Sequence, residues 1–302
     1  MHITPENQTD LTGDSAHLMR LATKLSLWAG GFLVLLKGMA WSFTDSLSMM
    51  SSLADSLLDV MASAVNFAAV RYALQPPDAE HRFGHGKAED LAGFAQSTFI
   101  CGSGLFLVVE GIKRYFSPEP VKHSMLGIAV MLISITVTLA LVLYQRRVVK
   151  LTGSQVVKAD SLHYVADLLT NSAVIAAFIL SYGLDWYVAD AVFALLIAAY
   201  IIYTAASMGY HAFQNLMDRE FSDEDRTKIK NIVRNSSGVL GLHDLRTRKS
   251  GLNGFIQLHL DLDPEMTLRQ AHIISDTVEE SLRNAFPNTE ILIHQDPLHG
   301  DA

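Results

Sequence analysis

Six stretches of this 302-residue chain stay apolar for the length of a membrane-spanning helix. A helix needs about 20 apolar residues to cross a bilayer. Ser26–Phe43 is interrupted only by Lys37, and Leu47–Val70 only by Asp55 and Asp59. Leu91–Val109 and Ser124–Gln145 carry no charge. Leu162–Leu184 holds His163 and Asp167 near its start, and Ala191–Met217 holds only His211. Inside lipid the backbone must satisfy its own hydrogen bonds, so runs this long read as helices. Composition agrees: 50% of residues are hydrophobic and 18% charged, against roughly 25% charged in a typical soluble domain. Mean hydropathy is +0.24. Disorder, a coiled-coil rod and an ordinary soluble enzyme are excluded as main readings.

Basic residues orient the bundle. One side carries Arg20, Lys24, Arg71, Arg82, Lys87, Arg146, Arg147, Lys150 and Lys158, and the other Lys113, Arg114 and Lys122. This asymmetry predicts that both termini are cytoplasmic. The first 18 residues are polar and contain acids, with no signal-peptide pattern. The predicted organisation is a polar tail over 1–18, a six-helix transmembrane domain over 19–217 and a cytoplasmic domain over 218–302. From Arg219 onward ten basic and fourteen acidic residues return the chain to soluble texture. Ser222 with Asp225, and Thr267 with Gln270, read as helix-opening capping boxes. They predict helices near Asp223–Asn235 and Leu268–Phe286. Alternation over Phe255–Leu262 turns Ile256, Leu258, Leu260 and Leu262 to one face and Gln257, His259 and Asp261 to the other. A last strand, Glu290–Asp296, puts Ile291 and Ile293 inward and His294 and Asp296 outward. The order α-β-β-α-β predicts a small α+β domain. Net charge of −8 argues against nucleic acid as a partner. The single cysteine, Cys101, rules out a disulfide framework and a multi-thiolate zinc site.

Ionisable groups inside a bilayer are costly, so each is a functional hypothesis by default. Ser48, Ser52, Asp55, Asp59, Ser63 and Asn66 recur every three or four residues, on one helical face. Asp160, His163, Asp167 and Asn171 do the same in the fifth run. Asp55 with Asp59, and His163 with Asp167, are i,i+4 pairs. Two facing pairs supply three carboxylates and an imidazole, which suits a four-coordinate divalent metal such as zinc. Without a thiolate, copper(I) is disfavoured. The alternative is a helix-tying hydrogen-bond network or a proton relay without metal. A metal-bound imidazole must be deprotonated, and a free imidazole's pKa of roughly 6.5 lies near cytosolic pH. Metal and proton would then compete for one site, the basis of antiport.

Asp78, His81 and His85 form D-x-x-H-x-x-x-H in the second loop, an acceptable metal spacing that solvated side chains also produce. His243, His259, His272, His294 and Asp296 are scattered through the tail. They could form a binuclear site with Asp296 bridging, or remain surface residues. His2, His17, His123, His211 and His299 have no evident partners in the sequence.

Several words in fixed order resemble the cation diffusion facilitator family, from about Leu21 to Pro297. They are Ala54-Asp55-Ser56-Leu57-Leu58-Asp59, then His81-Arg82-Phe83-Gly84-His85-Gly86-Lys87-Ala88-Glu89, then Ala159-Asp160-Ser161-Leu162-His163-Tyr164. His243-Asp244-Leu245-Arg246-Thr247-Arg248 and Ile293-His294-Gln295-Asp296-Pro297 follow. The resemblance implies a homodimer of six-helix protomers in a bacterial inner membrane, each with a metallochaperone-like cytoplasmic domain. It implies that Asp55, Asp59, His163 and Asp167 form the transport site. Asp78, His81 and His85 would bind metal in the loop. His243, His259, His272, His294 and Asp296 would form a cytoplasmic binuclear site. Lys87 and Asp218 resemble the family's charged pair near the membrane surface, and Leu162 its hydrophobic gate. A histidine in H-x-x-x-D is typical of zinc and cadmium transporters of the family.

The reading expected from all of this is a proton-coupled efflux antiporter for divalent metal, Zn²⁺ and also Cd²⁺ and Fe²⁺, working by alternating access. Zn²⁺ would be both cargo and structural ion, with no organic cofactor. A metal-gated channel or a non-transporting metal sensor would show similar cytoplasmic histidines. A membrane metalloenzyme would need an open coordination position and a general base, and no nucleophile motif is present. Lys37 has no role beyond snorkelling or pairing with an acid.

Overall fold

The computed structural model describes residues 5–44, 47–116, 125–184 and 189–298. His2, Lys122, His123 and His299, considered above, lie outside them. Each apolar run corresponds to one long helix over its described residues, the sixth ending one residue short of Met217: α1 (Pro5–Thr44), α2 (Leu47–Ala73), α3 (Lys87–Phe116), α4 (Met125–Thr152), α5 (Gln155–Leu184) and α6 (Ala189–Leu216). Among the described residues α1, α2, α3, α4 and α6 contain segments long and apolar enough to cross a membrane. In α5 the polar stripe of Asp160, His163, Asp167 and Asn171 interrupts the apolar sequence. Large apolar side chains such as Trp28, Leu35, Met61, Phe106 and Tyr203 face outward. That surface suits lipid, where burying them against protein gains little. Contacts divide the chain into two compact units, Ser15–Phe213 and a second made of the described residues up to Asp14 together with those from Gln214 onward.

Within the helical unit α5 is the hub, packing on α2, α3 and α4. Its buried Asp160 ties three neighbours together. The carboxylate accepts from Ser26 Oγ of α1 at 2.5 Å, Asn66 Nδ2 of α2 at 2.9 Å and Gln145 Nε2 of α4 at 2.6 Å. One turn on, the Tyr164 hydroxyl lies 3.0 Å from Ser63 Oγ and donates to the Ser26 carbonyl at 3.2 Å. Such bonds hold helices where the hydrophobic effect cannot. Part of the polar stripe is therefore a helix tie, the alternative to metal binding raised by the spacing. The turn from α4 to α5 is short: α4 ends at Thr152 and Gly153 takes φ +68, a conformation glycine adopts without a Cβ penalty.

The second unit follows its capping signals. Helix α7 (Asp223–Arg234) opens on Ser222, which accepts from the Asp225 amide. Helix α8 (Leu268–Ala285) opens on Thr267 with a complete capping box to Gln270. Strands β1 (Gly241–Ser250), β2 (Asn253–Leu262) and β3 (Thr289–Pro297) form one sheet in the order β1-β2-β3. β1 and β2 are antiparallel, while β2 and β3 are parallel. A parallel pair needs a crossover, and α8 supplies it. Ile256, Leu258, Leu260 and Leu262 pack against Ile229 and Val233 of α7 and Ala271, Val278 and Leu282 of α8. Both helices thus cover one face of the sheet. The other face carries His259 and its strand neighbours.

Candidate metal centres

The first cluster lies between two helices of the membrane unit. Asp59 comes from α2, and His163 and Asp167 from α5, with one ligand atom of each within 4.8 Å of the others. His163 Nε2 is 2.8 Å from Asp59 Oδ1 and 3.9 Å from Asp167 Oδ2. The i,i+4 spacing aims both α5 side chains at one point, and α2 brings the third. Asp55, the fourth expected ligand, is not part of this close group. It sits one turn away on α2 and is exposed. The carboxylates and imidazole offer hard and borderline donors, which suit a divalent first-row ion. Leu162, next to the histidine, is half-buried against Ile100, Ala159, Ile201, Ala205 and Met208.

The second cluster is the loop motif Asp78, His81 and His85, again with ligand atoms within 4.8 Å. Asp78 Oδ1 accepts from the backbone amides of His81 at 2.6 Å and Glu80 at 2.9 Å. This closes a turn in which an aspartate caps its own loop. The His81 amide, with the Glu80 amide and the nearby histidines, holds the Asp78 carboxyl below its usual range. Asp78 Oδ2 reaches His85 Nε2 at 3.3 Å, and the two imidazole centroids are 4.7 Å apart. Gly84 takes φ +80 between the histidines, which a residue with Cβ adopts only with strain. His85 is buried, and its Nδ1 has no hydrogen-bond partner among the described residues. A buried polar atom left unpaired is costly, so this loop has coordination capacity to spare.

The third cluster crosses the sheet. His243 pairs with His259 in β1–β2 register, and His259 with His294 in β2–β3 register. Three imidazoles therefore stand side by side on the face away from α7 and α8. Asp296, two residues along β3, reaches back to them: Oδ2 is 2.7 Å from His259 Nδ1 and 3.3 Å from His243 Nε2, and Oδ1 is 3.2 Å from His294 Nε2. The His259 bond, with the fields of His294 and His243, holds the Asp296 carboxyl below its usual range. Asp261 is an addition to the expected set, with Oδ1 at 3.0 Å from His243 Nδ1. Strand alternation already placed it on the His259 face, so its signal was present in the sequence. Asp244 lies 3.8 Å from His259 Nε2. It sits at a register shift between His243 and Arg246 with φ +46, a bulge of the kind that re-aims side chains.

His272 does not join this cluster within the chain. It is exposed on α8, 3.6 Å from Asp276 Oδ2 one turn on, and α8 covers the opposite sheet face. Lys87 opens α3 and is half-buried. Asp218, at φ +57 after α6, accepts from Arg248 Nη1 at 3.5 Å.

The helical unit defines an integral membrane protein, and the three clusters are candidate sites for metal ions. Comparison with known proteins gives the family. Residues 23–217 match the model described as the cation efflux transmembrane domain. Residues 221–298 match that of the cation efflux protein cytoplasmic domain. The chain belongs to the cation efflux family, in line with its resemblance to cation diffusion facilitators. It is 50% identical over 282 residues to the cation-efflux pump FieF of Yersinia enterocolitica, covering 93% of this chain and 94% of that one. It is 51% identical over 265 residues to FieF of Klebsiella pneumoniae, covering 88% of each. Among solved structures, CzrB in its Zn form is 28% identical, covers 28% of this chain and 98% of that one, and has a TM-score of 0.27.

Proposed function

We propose that this chain is an efflux transporter that expels divalent metal, zinc foremost with cadmium and iron(II), from the cytoplasm in exchange for protons. The observation that carries it is the Asp59–His163–Asp167 group between α2 and α5. The family membership and the pump names of the relatives support export rather than catalysis. Asp55 would complete the site when cargo is bound, since one turn of α2 separates it from Asp59. A carboxylate and imidazole shell without thiolate favours zinc-like ions while leaving cadmium and iron acceptable. Only neutral imidazole ligates metal, so binding at a protonated His163 releases one proton. Alternating access would expose the site first to the cytoplasm and then to the far side, with Leu162 closing the path beside the histidine.

The loop and sheet clusters would hold resident metal. His81 and His85 with Asp78 form one site. His243, His259, His294 and Asp296 form the other, with Asp261 beside it. The functional unit would be a homodimer in the bacterial inner membrane with both termini cytoplasmic, and Lys87 and Asp218 would form a charged pair near its interface. The test is metal-resolved transport in proteoliposomes with a pH-sensitive dye inside. Metal flux with a fixed number of counter-moving protons is expected. Flux indifferent to an imposed pH gradient would overturn the antiport, and absence of flux would leave a sensor.

A further inference from the structure

The first apolar run contains one charge, Lys37, and a lone cation in a membrane helix is costly unless something compensates it. The Lys37 ammonium donates to Ser56 Oγ at 2.7 Å and to the Ser52 carbonyl at 3.3 Å. Both acceptors lie on α2, the helix of Asp55 and Asp59. Ser56 is buried, so the ammonium is held at a defined place rather than reaching for the membrane surface. It interacts electrostatically with Asp59, Asp167 and Asp55. Those are the three carboxylates assigned above to cargo. An ammonium has no lone pair, so Lys37 cannot itself bind a metal.

We propose that Lys37 is the resident counter-charge of the transmembrane site, matching it to a divalent cargo and keeping its hold weak enough for release. This rests on the reading of Asp55, Asp59, His163 and Asp167 as the transport site. Metal-bound carboxylates are anionic and metal-bound imidazole is neutral. Three carboxylates and one ammonium leave two negative charges, which a divalent ion cancels. A monovalent ion leaves one negative charge and a trivalent ion one positive charge, and residual charge is penalised in a poorly screened interior. Without Lys37 the balance moves by one charge, so a divalent ion is over-attracted and a trivalent ion becomes the neutral match. Ser56 acts through Lys37 as a positioning residue.

Zinc transport by the full-length protein in proteoliposomes tests this, with a small trivalent lanthanide, lutetium, as competitor. Lys37→Gln should lower the KM for zinc about tenfold or more and lower kcat as well, because release slows. The ratio of the lutetium inhibition constant to the zinc KM should fall by a similar factor. Lys37→Arg keeps the charge and should stay near the parent on both. Ser56→Ala, which frees the ammonium without removing it, should shift KM and ratio the same way by less, and it carries the test if Lys37→Gln does not assemble. A packing role would lower kcat without tightening zinc or changing the ranking of ions by charge. The proposal is overturned if KM does not fall and the ratio holds in these variants, or if Lys37→Arg behaves as Lys37→Gln. Zinc flux that survives Asp59→Asn would instead break the transport-site reading and leave Lys37 aside.

Discussion

At the scale of residues, the three clusters use the same donors in different settings. Asp59 and Asp160 illustrate the contrast inside the membrane. Asp59 meets a histidine, so its loss should cost function. Asp59→Asn is expected to reduce metal flux by at least about 100-fold while the protein still elutes as a folded species of unchanged size. Asp160 meets Ser26, Asn66 and Gln145. Asp160→Ala removes all three bonds: Asn66 Nδ2 loses its partner at about 1–3 kcal/mol, while Ser26 and Gln145 keep only the bond to each other and Ser26 its bond to the Ala22 carbonyl. A marked drop in melting temperature in detergent is expected, and an unchanged melting curve would contradict the tie. Asp296 gives a pH prediction. Its carboxyl titrates below the ordinary range, so it is ionised well before the pH climbs to neutrality. Asp296→Asn should weaken zinc binding and raise the pH at which metal is lost, because protons and metal compete for the same donors; a zinc titration repeated at several pH values checks it.

Secondary-structure elements decide which residues can meet. Spacing alone identified the capping boxes at Ser222 and Thr267, the inward face of β2 and the polar faces of α2 and α5, because helix and strand periodicities are local. Local periodicity did not separate Asp160 from His163, since both sit on the same stripe. The separation came from the partners: Ser26 and Gln145, each near one end of its own apolar run, gave no sign of meeting Asp160. Within the C-terminal unit the register across β1, β2 and β3 sets His243, His259 and His294 in a row. Leu258 supports that row from the opposite face. Leu258→Ala should destabilise the domain by about 2–5 kcal/mol and loosen zinc binding there, read as earlier unfolding in the presence of zinc. Unchanged zinc protection would mean that the row does not depend on its core.

For the whole molecule, the position of His272 bears on assembly. α8 lies on one face of the sheet and the histidine row on the other, so His272 cannot reach the row of its own chain. If His272 is a ligand, a second copy must supply it. His272→Ala should therefore weaken dimerisation in zinc while leaving zinc bound to the row of a single chain. Sedimentation with and without chelator checks this, and zinc-dependent association identical to the parent would remove His272 from the ligand set.

Sequence alone determined the apolar runs, the soluble tail and the residue types able to hold a divalent cation, because each is written in composition and short-range spacing. It also carried the family, through short words in fixed order. Tertiary structure decided which ionisable groups converge. It drew Asp59 to His163 and Asp167 but left Asp55 a turn away, assigned Asp160 to helix tying and added Asp261 to the histidine row. It separated His272 from that row and fixed Lys37 on Ser56 of α2, in the electrostatic reach of the membrane-site acids. The reason is physical: coordination and charge compensation act over a few ångströms between elements far apart in the chain, and no periodicity within one element specifies its neighbour.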